Sequence, residues 1–161
     1  MELITYILLC RDPASDSYLM ASLEQAVAHI QSEQRSNISR TFLIGGSQLY
    51  SQAMEDMTPQ KSSTAILDRL LVTRILEPEF DCDVFLPEYR TQEQKHEDES
   101  LLRGEKQSDA GEQKPSTDQQ ALWTKASSAE LGGYLGPDGV EQGPVKEGDV
   151  TYEFQMWLAR Q

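Results

Sequence analysis

The pattern of apolar and polar positions along the chain predicts its elements in turn. From Ser22 the spacing is helical, with Leu23, Ala26, Val27 and Ile30 at i, i+3, i+4 and i+7 on one face of a 3.6-residue repeat. Ser22 followed three residues later by Gln25 is a capping-box pattern, and the helix is expected to fray across Gln34 to Asn37. Thr41-Phe42-Leu43-Ile44 then predicts a short buried strand that stops at Gly45-Gly46. A second helix follows, with Leu49, Tyr50, Ala53, Met54 and Met57 as its apolar stripe and Ser47 near its first turn. Leu70 to Ile75 is almost continuously apolar and predicts a central strand covered on both faces, so strand, helix and strand form a βαβ unit with a right-handed crossover.

Farther along, Cys82 to Leu86 is a short extended piece closed by Pro87, and Ala121 to Ala126 can pair as a strand. Thr151 to Leu158 sets Tyr152, Phe154, Met156 and Leu158 against Thr151, Glu153, Gln155 and Trp157, the period of a strand. Between these lie Gly132, Gly133, Gly136, Pro137, Gly139, Gly143, Pro144 and Gly148, which predict a hairpin-like excursion and no helix. There is no internal repeat.

Composition narrows the class. The chain has 161 residues, 38% of them hydrophobic, and a formal net charge of −13, the size of one ordinary domain. Its longest apolar run, Leu3 to Cys10, is far short of the roughly 20 residues that span a bilayer, and no basic residue precedes it as in a secretory leader. No membrane contact and a cytoplasmic location are therefore expected. The acidic balance repels phosphate backbones, so nucleic acid is not an expected partner. Cys10 and Cys82 fit no metal motif and read as ordinary thiols, and His29 and His96 carry no catalytic signal. From Glu88 to Gln120 nine acids face five bases, with Leu101 and Leu102 as the strong aliphatics. Such a stretch cannot bury enough apolar surface to offset chain entropy, so a disordered acidic insertion over about 88–120 is expected, with Glu97, Asp98 and Glu99 solvated.

The chemistry concentrates at Ile44-Gly45-Gly46-Ser47-Gln48-Leu49-Tyr50. A strand that ends at two glycines and opens a helix presents unpaired N–H groups and the positive end of the helix dipole, and glycine admits an anion close to the backbone. The same residues also suit a plain tight turn. Neither a Walker loop nor a G-x-G-x-x-G fingerprint is present.

Phe42 to Tyr50 resembles the cofactor motif of the dihydrofolate reductase family. Leu71-Val72-Thr73-Arg74-Ile75 is similar to that family's next strand, Asp81-Cys82-Asp83-Val84-Phe85-Leu86-Pro87 to its D-x-D-x-F-x-P segment, and Tyr152 to Trp157 to its closing strand, most of all in fungal members. The resemblance covers residues from about Tyr18 to Gln161 and implies a three-layer α/β sandwich around a mixed, mostly parallel sheet, truncated on its N-terminal side. It implies two parts, an atypical segment 1–17 and a partial reductase domain 18–161. It implies reduction of 7,8-dihydrofolate by hydride transfer from NADPH, with Gly45, Gly46, Ser47, Gln48, Leu49 and Tyr50 at the cofactor and Ile44, Tyr50 and Thr73 at the substrate pocket. The Gly45–Gly46 peptide would be cis. Without the resemblance, Ile44 and Tyr50 read as core residues and Thr73 as an ordinary strand former.

Parts of the family pattern have no counterpart in this sequence. Met1 to Asp16 does not resemble it, no acid on an apolar helix stands ready to orient the pteridine, and Asp12 and Asp16 lie in a polar turn around Pro13. No catalytic acid is therefore assigned. The resemblance implies dihydrofolate and antifolates as partners; missing first strands would leave an apolar sheet edge, so a monomer is expected of a complete chain and self-association of a truncated one. The alternatives are an inactive fragment keeping part of a nucleotide-binding surface, or an interaction protein. A pyrimidine reductase of riboflavin synthesis is disfavoured by the D-x-D-x-F-x-P segment and the closing strand.

Overall fold

The computed structural model of the protein describes residues 5–7, 18–32, 40–59, 61, 65–102, 121–136, 139, 141 and 143–160. Expectations for Cys10, Asp12, Asp16, Gln34 to Asn37 and residues 103–120 lie outside them. Two short strands, β1 (Thr5–Ile7) and β2 (Tyr18–Met20), pair antiparallel and lead into helix α1 (Leu23–Ser32). The Ser22 hydroxyl accepts from the Gln25 N–H at 3.2 Å, while the Gln25 side chain reaches back to the N–H of Ala21 at 3.2 Å, one residue beyond the usual capping-box partner. Leu23 and Ala26 are buried, as their positions on the apolar stripe require. Helix α2 (Ser47–Asp56) buries Ala53 and is tied to α1 by a 3.0 Å hydrogen bond from Gln52 to Glu24.

Strand β6 (Val150–Ala159) is the axis of a four-stranded sheet. On one edge it pairs over eight positions with β3 (Arg69–Glu77). Its other edge takes β4 (Trp123–Lys125) at one end and β5 (Val145–Glu147) at the other. The β5–β6 hairpin turns through Gly148 and Asp149, and Gly148 has the positive φ, +61°, that a two-residue connection demands. Gln155, Met156 and Trp157 are all buried in succession, because both faces of β6 are covered there.

Every strand pairing among the described residues is antiparallel, so the expected mostly parallel sheet is not what these strands form. Two readings change with it. Thr41 to Ile44 is not a strand: no ladder partner is present for it among the described residues, and Phe42 and Ile44 are 53% and 77% exposed. Among the described residues no βαβ unit is therefore seen and β3 lies at the sheet edge, with Leu71 and Ile75 about half exposed. Its apolar run suits burial on both faces, but its outer edge carries no strand among the described residues. Cys82 to Leu86 has no regular structure and is exposed, including the free Cys82.

Two segments expected to lack helix form one. Helix α4 (Ser128–Leu135) contains Gly132 and Gly133, each of which costs about 1 kcal/mol relative to alanine. A reciprocal capping box between Ser127 and Glu130, with distances of 3.3 and 2.8 Å, and burial of Leu131 offset that cost. Within the segment 88–120, Gln92–Leu102 is helix α3. It starts with a second capping box, Thr91 with Gln94, and Gln94 also donates to the Trp123 carbonyl at 2.9 Å. Asp98, expected to be solvated, is 4% exposed and receives Arg74 at 2.6 Å, Lys125 at 3.0 Å and Arg90 at 3.2 Å. Opposite charges brought in from β3, β4 and the loop before α3 replace the apolar surface that α3 lacks.

Asp98→Ala leaves three cations facing one another around an apolar gap and is expected to cost roughly 3 kcal/mol, the lower end for unpairing a buried ion. A urea melt checks this through a lower midpoint at unchanged slope. Beside the cluster, burial raises the Glu88 pKa, but hydrogen bonds from Arg90 and Lys95 outweigh it and bring the carboxyl from 4.5 down to about 2. A depressed carboxylate stabilises the fold above its unfolded pKa and stops doing so as pH falls through its folded value. Stability should therefore fall between about pH 4.5 and pH 2, and Glu88→Gln should flatten that part of the stability–pH curve.

Candidate functional site

The polypeptide enters α2 through Gly45 and Gly46, and the peptide bond between them is cis. Gly46 is the N-cap residue, and no side chain caps the helix, so the N–H groups of its first turn point outward without a side-chain partner. The first intrahelical bond runs from the Tyr50 N–H to the Gly46 carbonyl at 3.1 Å. Gly45 has φ +113°, open to glycine and strained for other residues, and a β-carbon there would lie 3.4 Å from the Tyr50 hydroxyl oxygen. A β-carbon on Gly46 would meet nothing within 4 Å, so the space in front of this helix end is open.

Next to it lies a cavity of about 780 Å³, lined by α1, α2, the 41–44 segment and β3. Ile44, Tyr50 and Thr73, far apart in sequence, all line it. Leu23, Val27, Met54 and Leu71 provide an apolar middle. Gly46, Ser47 and Gln48 stand outside on the exposed helix start, and Leu49 and Tyr50 are half-buried. The six residues proposed for one ligand and the three for another thus occupy adjoining places that share Tyr50.

Sequence reasoning missed a feature on the cavity wall, which includes Arg69 and Tyr134. The guanidinium groups of Arg40 and Arg69 both lie over the ring of Tyr134, 4.2 and 4.7 Å from its centroid. Arg40 also donates to the Tyr134 carbonyl at 3.0 Å, and Asp68 pairs with Arg69. Local pattern could not bring Tyr134 to residues so distant in the chain. Among the described residues no group of three or more histidines, cysteines or acids could hold a metal ion, and no helix is long and apolar enough to cross a membrane.

Residues 5–114 match the family model described as dihydrofolate reductase. That range takes in most of the segment 1–17 read as unlike the family. The chain is similar to the dihydrofolate reductase of Cryptococcus neoformans var. neoformans serotype D, with 31% identity over 160 residues, 92% of this chain and 59% of the relative. To the dihydrofolate reductase of Pneumocystis carinii it is 30% identical over 127 residues, 78% of this chain and 45% of the relative. The chain therefore spans between 45% and 59% of the length of these curated relatives.

The two glycines should separate by substitution. Gly45→Ala is expected to destabilise the fold by about 1–3 kcal/mol through its backbone angle. Gly46→Ala, with room for the methyl group, should shift the chemical-denaturation midpoint much less.

Proposed function

The chain belongs to the dihydrofolate reductase family, and from that premise we propose that it takes part in the NADPH-dependent reduction of 7,8-dihydrofolate to tetrahydrofolate. One observation carries the reading: an uncapped helix start at Gly45–Gly46 opens beside a cavity whose wall contains Ile44, Tyr50 and Thr73. The open space before Gly46 fits a diphosphate, which the outward N–H groups of Ser47, Gln48 and Leu49 would hold by hydrogen bonding and helix polarity. NADPH, when bound, supplies the hydride from C4 of its nicotinamide ring.

This chain's own residues supply position. Tyr50 stands where both sites meet, so its ring would fix the nicotinamide against the pteridine at near-contact distance. The Ile44 carbonyl and the Thr73 hydroxyl would orient the pteridine. The apolar middle of the cavity would exclude water around the C6–N5 bond, at which C6 receives the hydride and N5 a proton. A mixed, mostly parallel sheet in three layers belongs to the same reading, with parallel neighbours of β3 coming from outside the described residues. A cytoplasmic location and antifolate binding go with it.

A second reading rests on a specific observation. Asp68 is the carboxylate among the described cavity-lining residues, and it is engaged by Arg69. A chain with no free acid at the pteridine would bind nucleotide without turnover, and the edge of β3 that carries no strand among the described residues would favour self-association.

Dihydrofolate-dependent NADPH oxidation by the purified chain, inhibited by an antifolate, is expected under the first reading. A folded chain that binds NADPH without turning it over would establish the second. Gly46→Val should weaken NADPH binding by at least about tenfold, the loss of one or two charge-assisted hydrogen bonds, with the far-UV spectrum unchanged. Undiminished affinity would overturn the diphosphate assignment.

A further inference from the structure

Away from the glycine-ended helix start, three cations converge on one carboxylate in a chain of net charge −13. Arg74 Nη1 lies 2.6 Å and Arg90 Nη1 3.2 Å from Asp98 Oδ2, and Lys125 Nζ lies 3.0 Å from Oδ1. The cations belong to β3, to the loop before α3 and to β4, while the carboxylate comes from α3. Two of them have a second anchor. Glu88 takes Arg90 through two nitrogens at 3.0 and 3.3 Å, and Glu153 of β6 lies 3.5 Å from Lys125, so neither depends on Asp98 alone for its place. From Gln92 to Glu99, Asp98 alone is buried. Helix α3 is thus seated by one carboxylate, with polar contacts from Gln94 to the Trp123 carbonyl and from Lys95 to Glu88 beside it. The cations keep contact with solvent: the side chains of Arg74, Arg90 and Lys125 are 19%, 20% and 35% exposed. Arg90 also lines a cavity of about 390 Å³ with Tyr89, Thr91 and Trp123, so an anion can reach the cluster from outside.

We infer that Arg74, Arg90 and Lys125 form a phosphate-binding site which Asp98 occupies as a tethered substitute, and that a phosphate group bound there releases α3. Matched buried ions add little net stability, and withdrawing one is costly because its partners are left bare. An incoming anion that matches the three cations removes that cost. A second carboxylate brings the same single charge as Asp98 and loses to it, because tethering gives Asp98 an effective concentration of order millimolar. A phosphate group brings about −1.5 to −2 charge and three terminal oxygens, one for each cation. Arginine suits it further, since the planar guanidinium meets phosphate oxygens through two parallel donors. Arg74, Arg90 and Lys125 are not among the described residues lining the cavity at Tyr50, so this site is separate from the one proposed for cofactor and substrate. The inference therefore stands apart from the reductase reading.

The test follows hydrogen exchange of the α3 backbone amides in the purified full chain, in inorganic phosphate and in sodium chloride of equal ionic strength, so that screening is the same in both. Phosphate is expected to speed exchange over Gln92 to Glu99 several-fold beyond chloride, and sodium acetate to match chloride. Asp98→Asn keeps the shape of the side chain and removes the tethered anion, so it should bind phosphate at least about tenfold more tightly by calorimetry. Lys125→Gln, in a chain that retains Asp98, should weaken phosphate binding about tenfold, the worth of one charge-assisted hydrogen bond. That variant keeps the test decisive if the Asp98 variant does not fold. Phenyl phosphate separates the two sources of the group: tighter binding than inorganic phosphate assigns a phosphate monoester, weaker binding the free ion, and either supports the site. Equal α3 exchange in phosphate and chloride, or a phosphate affinity that neither substitution changes, would overturn it.

Discussion

Both edges of β6 are hydrogen-bonded, and the rest of the sheet takes its place from that strand. The register of β3 follows from its ladder with β6, from Arg69 opposite Leu158 to Ile75 opposite Tyr152. Backbone N–H and C=O groups of successive residues point to opposite edges, so β6 bonds β3 through one set of residues and β4 and β5 through the other. The Ala159 N–H donates to Asp68 on one side, and the Arg160 N–H to Leu122 on the other. Burial of Trp157, with the Tyr89 ring edge-on at 5.1 Å, anchors the strand between β3 and β4.

Antiparallel pairing to β6 uses only one edge of β3. The opposite edge faces the cavity, and Thr41 to Ile44 stands across that cavity without pairing with it. An apolar space with strand backbone on one wall and an uncapped helix start beside it is the result. The candidate site follows from the topology: α2 supplies positive polarity and Tyr50, and β3 supplies Thr73, to the lining of one cavity. Helix α4 carries Tyr134 to the beginning of β3, where Arg69 lies over its ring.

Electrostatics substitutes for a hydrophobic core on the other side of the sheet. Helix α3 is too polar to be held by apolar burial, and it docks by inserting Asp98 among Arg74, Arg90 and Lys125. Removing two or more charges from water is costly, so such a cluster stabilises only while every member is matched. Composition reads the segment as unable to bury an apolar face, whereas the partners of Asp98 lie on β3, β4 and the preceding loop. No local count of charges reveals that three cations from elsewhere converge on one acid.

The sequence by itself determined the elements whose stability is local and the motif that names the family. Helices α1 and α2 follow from their stripes, β6 from its alternation, and the glycine-ended helix start from Gly45-Gly46. Each depends on residues within a few positions of one another. Tertiary structure alone decided that, among the described residues, Leu70 to Ile75 lies at a sheet edge and Thr41 to Ile44 has no ladder, and that Gly132 and Gly133 sit in a helix. It also decided that Asp98 is buried, and that the guanidiniums of Arg40 and Arg69 both lie over the ring of Tyr134. The physical reason is common to all five. Strand pairing, ion matching and the burial that offsets a helix's glycine cost are contacts between distant residues, and a pattern read along the chain carries propensity without the partner that realises it.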